Sequence, residues 1–468
     1  MKTRFAPSPT GLITTGNART ALFSALLAKK DNDVFLLRIE DTDKERSKLE
    51  FSDQLQNDLK WLKCQWQEGP NKDLGNGPYF QSQRNQIYED FYQKLMDEDL
   101  AYLCFCSEGK LELTRKVQRA SGQAPRYPGT CRHLSKNEVQ AKLAEGLKPA
   151  LRFKIPQGQV IEFEDVVKGK QKFNADDLGD FIIRKNDQSP SFMFCNAIDD
   201  ALMGVTHVLR GEDHLTNTPR QLMILDVLGL QKPHYAHISL IIGSDGKPLS
   251  KRNGSRSLEQ LQDLGYLPEA VINYLARLGH YYEENDLMTF EALAEKFSLE
   301  RLGSSAARYD ENQLNYWQKE AVLNANDAEL WKWLGDEISR QVPEDKKDAF
   351  IQIVRDNVTS PNDALAYCNI LFSDESLAYS DEALTILSEA GSGFFDAALE
   401  VSQAQFIWSD VTSHIKSTKG VKGKKLFQPL RVAISGMEHG PQMSEFCALM
   451  SDQLIRLRLL DAKSKVSN

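Results

Sequence analysis

The segment from Lys2 to Asp43 constrains this chain most, because its residue types run in the order strand, stiff loop, helix, strand. Arg4-Phe5-Ala6-Pro7-Ser8-Pro9-Thr10-Gly11 stands at the end of a first expected strand. Its two prolines stiffen the loop by fixing φ, and Gly11 and Gly16 let the backbone approach a ligand closely. Ala18, Ala21, Leu22, Ala25 and Leu26 then follow the spacing of one helix face. Val34 to Ile39 is a short, mostly apolar run, as in a strand buried on both faces, and it ends in Glu40-Asp41-Thr42-Asp43. Strand, helix, strand in this order predicts a parallel sheet. Ligands bind beyond the carboxyl ends of the strands in such sheets. A helix starting near Asn17 aims its free N–H groups at that space, which favours phosphate. By itself a short Gly-containing loop of this kind is more often a plain Pro/Gly turn before a helix.

The texture changes from Tyr102 to Arg184, which carries a cysteine cluster, several Gly and Pro, and the alternating Leu151-Arg152-Phe153-Lys154-Ile155. This stretch reads as an inserted module. Sheet-like runs return at Thr206–Arg210 and His237–Ile242, and beyond Leu258 the pattern is helical, as in Ala270, Ile272, Leu275 and Leu278. The expected division is 1–100 and 186–255 for the two parts of the sheet domain and 101–185 for the insertion. Two helical regions follow, 256–325 and 326–468, with a helix–helix junction at Ser360 to Asp363.

A length of 468 residues allows several domains, and 41% apolar with 26% charged residues is ordinary for a globular chain. No run is apolar and long enough to span a membrane, and the first residues lack the apolar core of a secretory signal, so a cytoplasmic address is expected. Seven cysteines, an odd and modest number, fit a reducing compartment better than a disulfide framework. A net charge of −9 counts against a nucleic-acid partner unless one face is basic. Lys416, Lys419, Lys422, Lys424, Lys425 and Arg431 form one such patch; from charge alone it reads as a solvated Lys-rich loop.

Two further constellations carry chemistry. Gly243-Ser244-Asp245-Gly246-Lys247-Pro248-Leu249-Ser250-Lys251-Arg252-Asn253-Gly254 is a mobile basic loop, whose Lys251 and Arg252 could follow charge developing on a leaving pyrophosphate. Cys104-Phe105-Cys106 and the later Cys131-Arg132-His133 offer three thiols and one imidazole, enough for tetrahedral zinc. The other reading of that cluster is buried free cysteines beside a surface histidine. Cys64, Cys195, Cys368 and Cys447 read as core residues.

The pair RFAPSPTG and LSKR resembles the two signatures of class I aminoacyl-tRNA synthetases, in the form found in the glutamyl and glutaminyl branch. RIEDTD at Arg38–Asp43, VTHVLRGEDHLTNTPRQ at Val205–Gln221, LPEAVINYLARLG at Leu267–Gly279 and KLFQPLRVAISG at Lys425–Gly436 are also similar to bacterial glutamyl-tRNA synthetases. The resemblance implies a Rossmann-type α/β catalytic domain with an inserted α+β acceptor-binding module, followed by an all-α tRNA-binding region. It implies ATP-dependent ligation of L-glutamate to tRNA-Glu through a glutamyl-adenylate, in a monomer. Arg4, Ala6, Ser8, Glu40, Phe192, Asn196 and Arg210 would form the glutamate site, with Glu40 taking the ammonium and Arg210 a carboxylate. Gly16, Asn17, Asp213 and Lys251 would contact ATP, with Mg²⁺ expected on its phosphates rather than in a protein cage, and Ser250, Lys251, Arg252 and Thr14 would serve the reaction. Cys104, Cys106, Cys131 and His133 would hold a structural zinc, and Lys424, Lys425 and Arg431 would touch tRNA.

Two positions depart from the family pattern. Phe192 stands where a tyrosine is expected, so one hydroxyl is missing. Thr14-Thr15-Gly16 stands where the family has HIG, and no histidine precedes His133. Thr14 therefore raises the alternative of a tRNA-binding paralogue with reduced or lost amino-acid activation. For Glu40 and Arg210, a plain salt bridge remains the alternative. The helical tail argues against a glutaminyl enzyme, whose branch usually ends in β-barrels, and against the short relatives that glutamylate a modified tRNA base.

Overall fold

The computed structural model describes residues 1–466. They form two compact units: Met1–Asp263 with Pro268–Leu314, and Leu264–Leu267 with the chain from Asn315 onward. No helix among the described residues is long and apolar enough to cross a membrane.

The first unit is built on a six-stranded sheet. Its strands are β1 (Lys2–Phe5), β2 (Val34–Leu37), β5 (Val160–Asp165), β6 (Gly169–Asn174), β8 (His207–Gly211) and β9 (His234–Ile238). The order across the sheet is β2-β1-β8-β9-β5-β6. All neighbours are parallel except the β5–β6 hairpin. The chain runs from β1 to β2 on one side, whereas β8 lies on the other, so a topological switch point falls between β1 and β8. Helix α1 (Thr15–Lys30) supplies the β1–β2 crossover, with Lys29 and Lys30 in its last turn complementing its dipole. Ala18, Ala21, Leu22, Ala25 and Leu26 are all buried, as their spacing predicts.

The inserted stretch is less separate than its texture suggests. The strands β3 (Ala101–Cys104), β4 (Ala150–Phe153) and β7 (Phe181–Arg184) make a small antiparallel sheet. Yet Leu151, Phe153, Phe181 and Ile183 share one core with Phe194 and Val208 of the main domain. The β5–β6 hairpin extends the main sheet itself, through Asp165 opposite Tyr235. Helices Leu258–Asp263, Pro268–Arg277 and Phe290–Lys296 belong to this unit too; Arg19 and Lys30 of α1 donate to the carbonyls of Leu278 and Phe297.

The second unit is helical, and Phe350, Phe395, Leu430, Val432 and Phe446 lie in its core. The junction expected at Ser360 is a capped helix start: Ser360 Oγ accepts from Asp363 N at 3.2 Å and Pro361 opens helix Pro361–Phe372. The compact units part near Leu314.

Candidate active site

A cavity of about 510 Å³ opens at the carboxyl ends of β1, β2, β8 and β9. Eleven of the anticipated residues line it together: Arg4, Ala6, Ser8, Thr14, Gly16, Asn17, Glu40, Phe192, Asn196, Arg210 and Asp213. The strands explain the convergence. Arg4 and Arg210 lie near the ends of β1 and β8, and Glu40 follows β2. Asn196 comes from helix Phe192–Leu202 and is buried. A Cβ placed on Gly16 would meet no protein atom within 4 Å, so this glycine fronts open space rather than packed chain.

The buried polar groups form a directional network. Glu40 Oε1 accepts from Arg38 Nη2 at 3.0 Å, from Asn196 Nδ2 at 2.8 Å and from Gln81 Nε2 at 3.4 Å. Burial holds the Glu40 carboxyl above its usual range, against the pull of Arg38; a bound cation would favour its ionised form. Arg4 spends Nε and Nη2 on Asp200, at 3.1 and 3.2 Å, and Asp200 also meets Arg38 Nη1 at 2.9 Å. Arg210 is only 5% exposed. It donates from Nε to His237 Nε2 at 3.2 Å and from Nη2 to Thr218 Oγ1 at 2.8 Å, while its Nη1 has no partner. Burial lowers its pKa to about 10, so it is cationic at neutral pH. Glu40 and Arg210 thus face the cavity with separate sets of partners rather than as a plain salt bridge.

Several participants carry no signal in the one-dimensional pattern. Asp200, Gln81 and His237 are buried residues whose roles come from tertiary contact. His214 lines the cavity with its ring against Phe192, centroids 5.2 Å apart. Burial and the nearby Arg210 lower its pKa to about 4, so the imidazole is neutral. Thr14 precedes α1 with an extended backbone, and its hydroxyl caps no backbone N–H of the helix.

The basic loop stands apart from this lining. Pro248, Leu249 and Ser255 reach the cavity, whereas Ser250, Lys251 and Arg252 are exposed and do not line it. Asn253 organises the turn: its Oδ1 accepts from Ser250 N at 2.6 Å, and its Nδ2 donates to Asp245 Oδ1 and the Pro248 carbonyl, each at 3.1 Å. Gly254, at φ +117°, closes the turn in a conformation that L side chains rarely adopt.

The cysteine cluster keeps its thiols but not its histidine. The sulfurs of Cys104, Cys106 and Cys131 lie within 4.8 Å of one another. His133 is exposed and outside that group. The turn at 130–133 directs Cys131 inward, with Cys131 N donating to Tyr127 Oη at 2.9 Å. The Tyr127 hydroxyl instead stands beside the sulfurs, 3.3 Å from Cys104 and 3.5 Å from Cys106.

In the helical unit Lys416, Lys419, Lys422, Lys424 and Lys425 are exposed. Lys424 and Lys425 occupy the first turn of helix Lys424–Ser435, where cations oppose the helix dipole. Arg431 is different: it is partly buried and donates to the Pro441 carbonyl at 2.8 Å, so it props a loop instead of joining the lysine patch.

Comparison with known proteins agrees with this geometry. Residues 1–316 match the family described as tRNA synthetases class I (E and Q), catalytic domain, and residues 325–463 match an anticodon binding domain. The chain is 52% identical over 463 residues to "Glutamate--tRNA ligase 2" of Coxiella burnetii, covering 99% of each. It is 53% identical over 460 residues to "Glutamate--tRNA ligase 2" of Nitrosococcus oceani, covering 98% of this chain and 97% of that one. Among solved structures, a glutamate-tRNA synthetase from Elizabethkingia anophelis superposes with a TM-score of 0.87 at 26% identity, covering all of both chains. The chain belongs to the glutamyl and glutaminyl family of class I tRNA synthetases.

Proposed function

We propose that this chain activates L-glutamate with ATP and transfers it to tRNA-Glu, releasing AMP and pyrophosphate. The observation that carries this reading is the buried Arg210, with Nη1 unpartnered, lining the same cavity as Glu40 at the switch point of the sheet. A buried cation with one nitrogen unpartnered suits a carboxylate, whose charge-assisted hydrogen bond it can take up. Glu40, with Asn196 fixing one of its oxygens, takes the substrate ammonium. Arg4, Ala6 and Ser8 line the same cavity, and Phe192 adds an apolar ring to it. Gly16 and Asn17 at the start of α1, with Asp213, receive ATP, and Mg²⁺ bound with it would offset the charge of its phosphates. The α-carboxylate of glutamate attacks the α-phosphate in line, and Ser250, Lys251 and Arg252 close on the departing pyrophosphate. The setting is a cytoplasmic monomer, and the seven free cysteines fit a reducing compartment.

Glutamate-dependent pyrophosphate exchange, followed by aminoacylation of tRNA-Glu and tRNA-Gln, tests this directly. No exchange at high enzyme concentration with tRNA present would leave the tRNA-binding paralogue as the better reading. The family relatives carry the ligase name, which favours the active enzyme. Thr14 still lacks the reach of an imidazole. Thr14→His should therefore raise the exchange rate by at least about tenfold, since one transition-state donor contributes about 10²–10³ in rate. An unchanged rate would mean that another group already does this work.

Cys104, Cys106 and Cys131 fit zinc by donor softness and by the clustering of their sulfurs. The metal would cross-link the end of β3 to the turn at 130–133, a structural role. Cys131→Ser should cut bound zinc, measured by elemental analysis, from about one per chain to near zero. His133→Ala should leave it unchanged, because that side chain lies outside the cluster. Loss of zinc in the His133 variant would restore the histidine as a ligand.

For the tRNA, Lys424 and Lys425 are the candidate contacts. Lys424→Glu with Lys425→Glu should weaken tRNA binding and flatten the plot of log K against log salt by about one to two units. Arg431→Gln should act on stability instead, through its lost bond to Pro441.

A further inference from the structure

Behind Arg210, on the side away from the cavity, lies a buried chain of hydrogen bonds that the proposed reaction does not use. Asp165 closes β5 and His237 sits on β9; the carboxylate Oδ2 and the imidazole Nδ1 are 2.5 Å apart, and both side chains are fully buried. Asp165 is held from three more directions. Its oxygens accept from the backbone N–H groups of Val167 at 2.9 Å, Lys168 at 2.8 Å and His237 at 3.1 Å. A carboxylate with that many donors stays ionised, and its pKa is held below the usual range despite burial.

The carboxylate fixes the histidine tautomer. Nδ1 carries the proton and donates a hydrogen bond to Asp165, so Nε2 presents a lone pair. Two groups point at that lone pair: Arg210 Nε at 3.2 Å and Thr218 Oγ1 at 3.0 Å. Thr218 Oγ1 in turn accepts from Arg210 Nη2 at 2.8 Å. The imidazole has to be neutral to accept from a guanidinium, and burial lowers its pKa accordingly. Two of the three guanidinium nitrogens of Arg210 are therefore committed to this network, and Nη1 is the one left over. The Tyr235 ring flanks the set, with the Arg210 guanidinium carbon 5.2 Å and the His237 ring 5.9 Å from its centroid.

We infer that Asp165, His237 and Thr218 are positioning residues that lock the Arg210 guanidinium in the orientation that reads the substrate carboxylate. Asp165 comes from the hairpin of the inserted stretch, so amino-acid recognition depends on the docking of residues 160–174 against the main sheet. The inference rests on the reading of Arg210 as a glutamate contact.

The test uses the full-length chain in pyrophosphate exchange, with glutamate and ATP titrated separately. His237→Leu removes the acceptor; His237→Gln supplies an amide oxygen in its place. The leucine variant should raise the glutamate KM by about 10- to 100-fold, with the ATP KM within about threefold of the parent. The glutamine variant should recover most of that loss. Asp165→Asn should raise the glutamate KM by about three- to tenfold, by freeing the imidazole to choose its tautomer. A role confined to stability would lower the melting temperature and the active fraction, hence kcat, with the glutamate KM unmoved; that pattern, or an equal rise in both KM values, overturns the inference. Should His237→Leu not fold, Thr218→Val, which is close in shape, carries the same expectation and the same refutation. Arg210→Leu run alongside separates the two levels. An unchanged glutamate KM in that variant sinks the site reading itself, whereas a raised KM there with normal values for His237→Leu and Thr218→Val sinks only the positioning role.

Discussion

Arg210→Leu will lower kcat/KM for glutamate by about 10²–10³-fold, because it removes a desolvated cation from the site of a charged substrate. The guanidinium is almost wholly buried and holds Nη1 without a partner. Such a group already bears its desolvation cost in the free protein, so a carboxylate that meets it recovers energy that water cannot supply. Arg210→Lys will not rescue the loss. An ammonium offers no planar fork, and it cannot reach His237, Thr218 and a ligand from the same stem. The ATP KM should change little, since Gly16, Asn17 and Asp213, the residues proposed to receive ATP, are untouched. The measurement is pyrophosphate exchange with each substrate varied in turn. A fall of less than about threefold would place the carboxylate contact elsewhere.

Lys251→Ala will act on the other kinetic constant. It should reduce kcat for activation by about 10²–10³ while leaving both KM values within a few-fold. Lys251 is exposed and does not line the cavity, so it should contribute little to ground-state binding. On the proposed mechanism its cation should count only once the loop closes and charge develops on pyrophosphate. The turn is suited to moving as a unit, because Asn253 ties Ser250, Asp245 and Pro248 together by its own side chain. Single-turnover adenylate formation in a quench-flow experiment isolates this step. A raised ATP KM with normal kcat would mean that the lysine is a ground-state phosphate ligand.

The two predictions differ in how their residues could be recognised. Lys251 sits in a local signature, LSKR, that can be read from four consecutive letters. Arg210 sits in an apolar strand where an arginine is only an oddity until its neighbours are known. His133 shows the opposite hazard. Its spacing from Cys131 suits a metal ligand, yet a single turn sends its side chain outward and leaves Tyr127 beside the thiols. Arg431 was legible as charge but not as a strut for Pro441. The inserted stretch read as a module because its composition changes; strand pairing, which composition does not encode, makes its hairpin an edge of the main sheet.

The family, the parallel β-α-β start, the helical tail and eleven of the residues that line the cavity are legible in the order of residues alone. These follow from short-range order: stiff loops, periodic apolar faces and motifs whose chemistry is contiguous. Which charges neutralise one another is set by the folded arrangement. Asp200 takes Arg4 and Arg38, Glu40 takes Arg38 and Asn196, and Arg210 is left facing the cavity with His237 and Asp165 behind it. Those partners lie from two to almost 200 positions apart along the chain. Burial is what gives their pairing its energetic weight, since each charge removed from water must find its partner in space.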